Sequence, residues 1–277
     1  MMEERDYRVS PELRTQRFEK VFLPEMEIMP RSRKPVSLFL GAQPGAGKTR
    51  VAGLIAERYG ELYRIDPDSI RETHPDYNML ASTKPDDMPE LTNPYVNGMI
   101  NRIIKYCGRN GVSYKFENTW HPADRTLDRI GGEHSIGRRT IAVALSVPPA
   151  LSVAGALQRY LIAKSRGYAA RWTGLSYLKE TNARIRDDVR AVAGSPFLDG
   201  FMVADRSGII TTDDTAQALE KWDDEHSRPL TPSSRKCPAS RCSRLYATCS
   251  RRMRTSSTRP ATIPRSRGNR TAGRPRL

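Results

Sequence analysis

The segment Ala42-Gln43-Pro44-Gly45-Ala46-Gly47-Lys48-Thr49 holds the residues of this chain best suited to chemistry. It ends in G-K-T, the second half of a Walker A loop. In such a loop successive backbone N–H groups and the first turn of a helix face the β- and γ-phosphates of a nucleotide, and small residues keep side chains out of the way. Lys48 has the length to reach the β/γ oxygens, and Thr49 offers its hydroxyl to Mg²⁺. The first glycine of the pattern is replaced by Ala42, with Gly41 one place earlier; a methyl group is tolerated wherever the backbone does not need positive φ. The apolar run VSLFL (36–40) precedes the loop and the helical pattern KTRVAGLIAERYG follows it. That context predicts a site for ATP and Mg²⁺ rather than a turn that merely connects strand to helix.

A phosphate loop alone serves GTPases, motors and kinases, so other residues must decide between them. Asp66 and Asp68 follow a second short strand-like segment, where a carboxylate near a γ-phosphate can accept a proton from an incoming hydroxyl. Asp68 is the candidate base; the competing reading is an Asp that caps a helix start. Glu117 and Thr119 close a third strand-like segment (YKFENT), where they can hold substrate hydroxyls or a metal-bound water; the competing reading is a solvent-facing strand end. Arg159 (in ALQRY) and Arg171 (in AARWT) are candidates for neutralising the transferred group, because a planar guanidinium donates to two phosphate oxygens together. In a chain with 46 Lys and Arg residues, either arginine alone would more often be a solvated surface charge.

Positioning these residues requires a regular scaffold. Residues 11–28 read as a packing helix interrupted at Pro24, followed by a turn. Strands are expected at 36–40, 61–66, 112–118, 140–147 and 200–204, and helices after Gly47, after Pro67, and over 94–107, 149–165 and 174–193. Strands alternating with helices imply right-handed crossovers and ligands at the carboxyl ends of the strands. The expected fold class is α/β: a P-loop NTPase-like three-layer fold with a mainly parallel sheet, spanning residues 1–225, then a basic low-complexity tail at 226–277.

The formal charge of +15 invites a nucleic-acid reading, but its location argues otherwise. Residues 231–277 contain 13 Lys and Arg and no acid, which leaves residues 1–230 with only +2. Nucleic acid is therefore an expected partner only through the tail, which is too poor in aliphatics to offset the entropy of ordering itself. No apolar run approaches the roughly 18 residues of a membrane span, and the first residues lack the apolar stretch of a signal peptide. Cys107 sits in a helical pattern, and Cys237, Cys242 and Cys249 show neither a C-x-x-C pair nor a nearby His, which argues against zinc. A cytoplasmic location is expected.

Together these segments resemble the zeta-toxin family of P-loop kinases from bacterial toxin–antitoxin systems. The resemblance lies in QPGAGKT (43–49), IDPDSIRETHPDY (65–77), NPYVN (93–97), FENT (116–119), ALQRY (156–160) and AARWT (169–173), in matching order and spacing. It implies ATP-dependent phosphorylation of UDP-N-acetylglucosamine, which blocks peptidoglycan synthesis, and an antitoxin protein as partner. It further implies ATP and Mg²⁺ binding by Lys48 and Thr49, Asp68 as general base, Glu117 and Thr119 on the sugar nucleotide, and Arg159 and Arg171 on the phosphates. Ala42 and Asn118 stand where family members often carry glycine. Two alternatives stay open from the residues themselves: a P-loop kinase for another sugar nucleotide or an antibiotic, and a nucleic-acid-binding ATPase.

Overall fold

The structure is a computed structural model that describes residues 7–166, 173–211 and 214–229. Arg171 and the tail from residue 230 onward lie outside the described residues. The chain opens with α1 (Pro11–Arg17), a π-helical turn (Phe18–Phe22) and α2 (Leu23–Glu27). Ser10 starts α1, its hydroxyl accepting from the Leu13 N–H at 3.2 Å, with Pro11 in the first turn where no N–H is needed. There follow β1 (Val36–Gly41), α3 (Lys48–Tyr59), β2 (Tyr63–Ile65), α4 (Pro67–Glu72), α5 (Tyr77–Thr83), α6 (Met88–Asn110), β3 (Tyr114–Asn118) and α7 (Ala123–Ser135). The described part ends with β4 (Arg139–Leu145), α8 (Pro149–Ser165), α9 (Leu175–Ala193), β5 (Gly200–Ala204), β6 (Ile209–Thr211) and α10 (Thr215–Ser227).

The strands form one sheet in the order β2-β3-β1-β4-β5-β6. The first five run parallel, and β6 joins antiparallel at the edge. Buried on both faces, the central strands read as nearly unbroken apolar runs, as VSLFL and TIAVAL do. Alternate residues feed two cores. Phe39, Phe116, Ala142, Ala144 and Val203 pack with α6, α7, α9 and α10, while Leu38, Leu40, Val143, Leu145 and Met202 pack with Val51 and Ile55 of α3. Helices on both faces of a mainly parallel sheet give the expected three layers.

The boundaries differ from expectation where proline or low hydrophobicity misleads. The helix expected from Pro94 begins at Met88 and carries Pro94 in its interior. Side-chain bonds from α4 flank that proline: Arg71 to Thr92 and Asn93, and Thr73 to Tyr95. The strand expected over 61–66 is limited to Tyr63–Ile65, because Asp66 serves as the cap of α4. Helices α5, α7 and α10 and strand β6 are additions. Cys107 is a buried free thiol, its pKa pushed up to about 12 by burial. Among the described residues, no helix is long and apolar enough to cross a membrane.

Candidate active site

The phosphate loop leaves the carboxyl end of β1, the central strand, and runs straight into α3. Gly47 precedes Lys48 in the left-handed region (φ 101°), and Gly45 is also left-handed (φ 78°). Positive φ is strained for residues with a Cβ, so glycine is required at both positions. Ala42 has no such requirement: it is not among the positive-φ residues, its methyl is buried in the α3-side core, and its N–H donates to Asn118 O at 3.2 Å. Gly41 answers a different need. A Cβ there would lie 2.1 Å from the Trp120 indole, which packs flat over the end of β1.

Helix α8 is seated directly on this loop. Ser152 Oγ donates to Pro44 O at 2.7 Å, and a Cβ on Gly45 would come within 2.3 Å of Ala156 N. Ser152, Gly155 and Ala156 lie on one stripe of α8, and Arg159 continues that stripe by helical spacing. Arg159 is exposed, and its charge is felt at Lys48. Gln43 is fully buried and its Nε2 lies 3.3 Å from His226 Nδ1 in α10, which also approaches Val147 O at 3.1 Å. The side chain of Thr49 lies outside the described part; its backbone occupies the first turn of α3.

On the other side of the loop the α3 face of the sheet turns from apolar to ionic. Register pairs Leu38 with Lys115 and Leu40 with Glu117, and Arg64 of β2 with Lys115, so three charges share that face. Glu117 is buried and accepts from Arg64 Nε at 3.0 Å and pairs with Lys115 Nζ at 3.0 Å. Burial alone would raise its pKa, but the Arg64 and Lys115 bonds outweigh it and hold the carboxyl below its usual range. Burial pushes Lys48 down, against the opposing pull of Glu117, Asp68 and Asp66. Glu72 is raised, by burial and then by Asp66 and Asp68. The lysine of the loop and these carboxylates therefore share one electrostatic environment.

Within that group the two aspartates have separate jobs. Asp66 caps α4: Oδ1 accepts from the Asp68 N–H at 3.2 Å, while Oδ2 accepts from Ser69 Oγ at 2.8 Å and pairs with Arg64. The capping role considered for Asp68 thus belongs to Asp66. Asn118 orders the turn after β3: its Oδ1 accepts from the Trp120 N–H and its Nδ2 donates to Thr126. Thr119 Oγ1 lies 3.2 Å from Tyr177 Oη of α9. His121 ties the same turn to α9, with Nδ1 3.0 Å from Asp188 and Nε2 3.5 Å from Glu180.

The structure therefore brings Ala42 to Lys48, Glu117 and Thr119 to the carboxyl ends of β1 and β3, with Asp68 in the first turn of α4 after β2 and Arg159 on the α8 stripe that meets the loop. Lys115, Arg64, Glu72 and Tyr177 are members of this surrounding that sequence reasoning missed. Lys115 carried a usable signal, since a lysine two residues before Glu117 in a strand shares its face. The left-handed glycines and the start of α3 suit a phosphate chain. Among the described residues no group of three or more His, Cys, Asp or Glu could hold a metal by itself.

Comparison with known proteins agrees with this geometry. The sequence model of the Zeta toxin family matches residues 21–216. Toxin zeta of Enterococcus hirae is 28% identical over 127 residues, 46% of this chain and 44% of that protein. Toxin PezT of Streptococcus pneumoniae serotype 4 is 26% identical over 130 residues, 47% of this chain and 51% of that protein. The chain thus spans about half the length of the curated relatives it matches. A solved structure from the PezAT chromosomal toxin–antitoxin system of Streptococcus pneumoniae shares the fold, with a TM-score of 0.72 and 16% identity over 91% of this chain and 98% of that one. A family match over most of the folded part, on a sheet whose central strand delivers a glycine-rich loop to a lysine and two carboxylates, places this chain in the Zeta toxin family.

Proposed function

We propose that this chain is an ATP-dependent kinase that phosphorylates a hydroxyl of UDP-N-acetylglucosamine, acting in the cytoplasm as the toxin of a toxin–antitoxin system. The observation that carries this reading is the loop with left-handed Gly45 and Gly47 between β1 and α3, beside the buried carboxylate of Glu117 that pairs in register with Leu40 of β1. ATP would supply the γ-phosphoryl group, and Mg²⁺, which Thr49 would hold, would neutralise phosphate charge. Residues 42–49 cradle the phosphates by their backbone, and Lys48 reaches the β/γ oxygens. Glu117 and Thr119 orient the sugar nucleotide. Asp68, relieved of capping by Asp66, takes the proton of the attacking hydroxyl. Arg159, on the α8 stripe that meets the loop, and Arg171 stabilise the phosphoryl group in flight. Positioning and electrostatics supply most of the rate.

The catalytic domain in this reading runs past the boundary expected at 225 to the end of α10 at Ser227, because His226 is buried against Gln43 and Val147, and the basic tail comes after it. An antitoxin is the expected protein partner, in keeping with the toxin–antitoxin pair from which the PezAT structure comes. The test is incubation of purified protein with ATP, Mg²⁺ and UDP-N-acetylglucosamine, following ADP release and product mass, with Asp68→Asn in parallel. A phosphorylated sugar nucleotide from wild type, with Asp68→Asn slowed by about 10²-fold or more yet still binding ATP, is expected. Wild-type turnover in Asp68→Asn removes the base. ATP binding without this product, and transfer to another sugar nucleotide or an antibiotic, replaces the acceptor.

A further inference from the structure

We propose that Arg206 is a positioning residue for the nucleotide loop: its guanidinium anchors the carbonyls of Gly45 and Ala46 on the outside and so aims the following amide at the phosphates. The inference rests on the ATP reading above and adds a residue that no motif marks. Arg206 Nε donates to Ala46 O at 3.1 Å, and Nη2 donates to Gly45 O at 3.2 Å and to Leu151 O in the first turn of α8 at 3.1 Å. One cation thus joins two successive loop carbonyls to the helix that carries Arg159.

Peptide geometry makes this anchoring directional. Across a trans peptide the C=O and the N–H point opposite ways, so fixing Ala46 O outward fixes the Gly47 N–H inward. The left-handed Gly47 has no Cβ to fill the space between; the nearest atoms to a Cβ there would be Arg206 Nε at 3.8 Å and Cγ at 4.0 Å. Arg206 therefore walls one side of the loop. A cation on a carbonyl also polarises the peptide, which makes its N–H the stronger donor toward an anion.

Arg206 is itself held in place. It sits in the turn between β5 and β6, where Asp205 Oδ1 accepts from the N–H groups of Ser207 at 2.6 Å and Gly208 at 2.8 Å. That turn directs residue 206 back over the loop. The three carbonyls call for a planar, multi-donor group, and a lysine ammonium cannot span them with the same fork.

The test measures ATP affinity directly by calorimetry on the full chain, alongside thermal melting, for wild type, Arg206→Met and Arg206→Lys. Arg206→Met is expected to raise the Kd for ATP roughly tenfold, the effect of losing a charge-assisted bond set, with Arg206→Lys in between. In turnover the KM for ATP rises while the KM for the acceptor stays, a split that simple destabilisation does not produce. ATP affinity in Arg206→Met equal to wild type overturns the role of Arg206 and leaves the nucleotide site standing. No ATP binding by wild type overturns both. If the Met variant does not fold, Arg206→Lys is read alone, and a wild-type Kd there overturns the proposal.

Discussion

Arg71 of α4 donates through Nη2 to the Asn93 side chain of α6 at 2.9 Å. Its other terminal nitrogen bonds Thr92 and Pro89 O, so a buried guanidinium locks the helix of Asp68 to the longest helix among the described residues. Thr73 and Tyr95 add a fourth bond, 2.8 Å between hydroxyls. Two segments that look like separate motifs in the sequence, IDPDSIRETHPDY and NPYVN, are thus the two halves of one joint.

Replacing Arg71 by Ala opens that joint and removes its bonds to Pro89 O, Thr92 and Asn93. A stability loss of about 1–3 kcal/mol is expected, read as a lower melting temperature. Turnover should fall more than ATP affinity, because the loop is untouched while Asp68 loses its support. Equal losses in both would refute the positioning role.

Glu117→Gln leaves Lys115, with a side chain only 7% exposed, without its full counter-charge. Breaking a buried pair from one side costs about 3–5 kcal/mol, far more than the half-exposed Arg64 contact would suggest. Chemical denaturation of Glu117→Gln against the double variant Glu117→Gln/Lys115→Met checks this. The double variant should recover much of the loss.

Much of this arrangement was legible in the sequence, and the remainder was unreadable for definite reasons. The strands announced themselves as apolar runs, and G-K-T after VSLFL fixed the loop and its helix. Helix α7 was obscured by Gly131 and Gly132 in its interior and α10 by its polar composition; both take their stability from packing that local propensity does not record. Tyr177 and Asp188 reach Thr119 and His121 across 58 and 67 residues, and no spacing rule links positions so far apart. Asp68 and Asp66 could be told apart only once the cap hydrogen bond was seen.

Gly155→Ala places a Cβ 2.3 Å from Gly45 O, so α8 must lift from the loop. Overpacking of this kind costs about 1–3 kcal/mol. Because the helix carries Arg159, turnover should fall beyond the change in melting temperature. Ser152→Ala, which removes only the bond to Pro44 O, should cost about 1 kcal/mol. A Gly155→Ala enzyme with normal kinetics would show that the contact is dispensable.

Acid should weaken the fold from near neutrality. Burial lowers the pKa of both His74 and His226 from the usual 6.5. The unfolded chain then takes up protons near pH 6.5 while the native imidazoles stay neutral, so stability falls as pH drops through 6.5 toward the native values. Arg186 adds to the lowering at His226, and Val147 O and Asp223 oppose it. Melting temperatures between pH 8 and 5.5 should decline, and less steeply in His226→Gln. A flat wild-type profile would contradict this.

The two struts of the phosphate loop come late in the chain: Arg206 lies 160 residues beyond Ala46, and His226 lies 183 beyond Gln43. A ribosome delivers the loop long before either of them. A nascent chain that has passed Thr49 but not reached His226 carries the whole G-K-T motif and still lacks the contact to Gln43. Contacts of such long sequence separation form only after the intervening chain is closed. The phosphate loop is therefore translated well before the residues that brace it, and its bracing waits on chain far downstream.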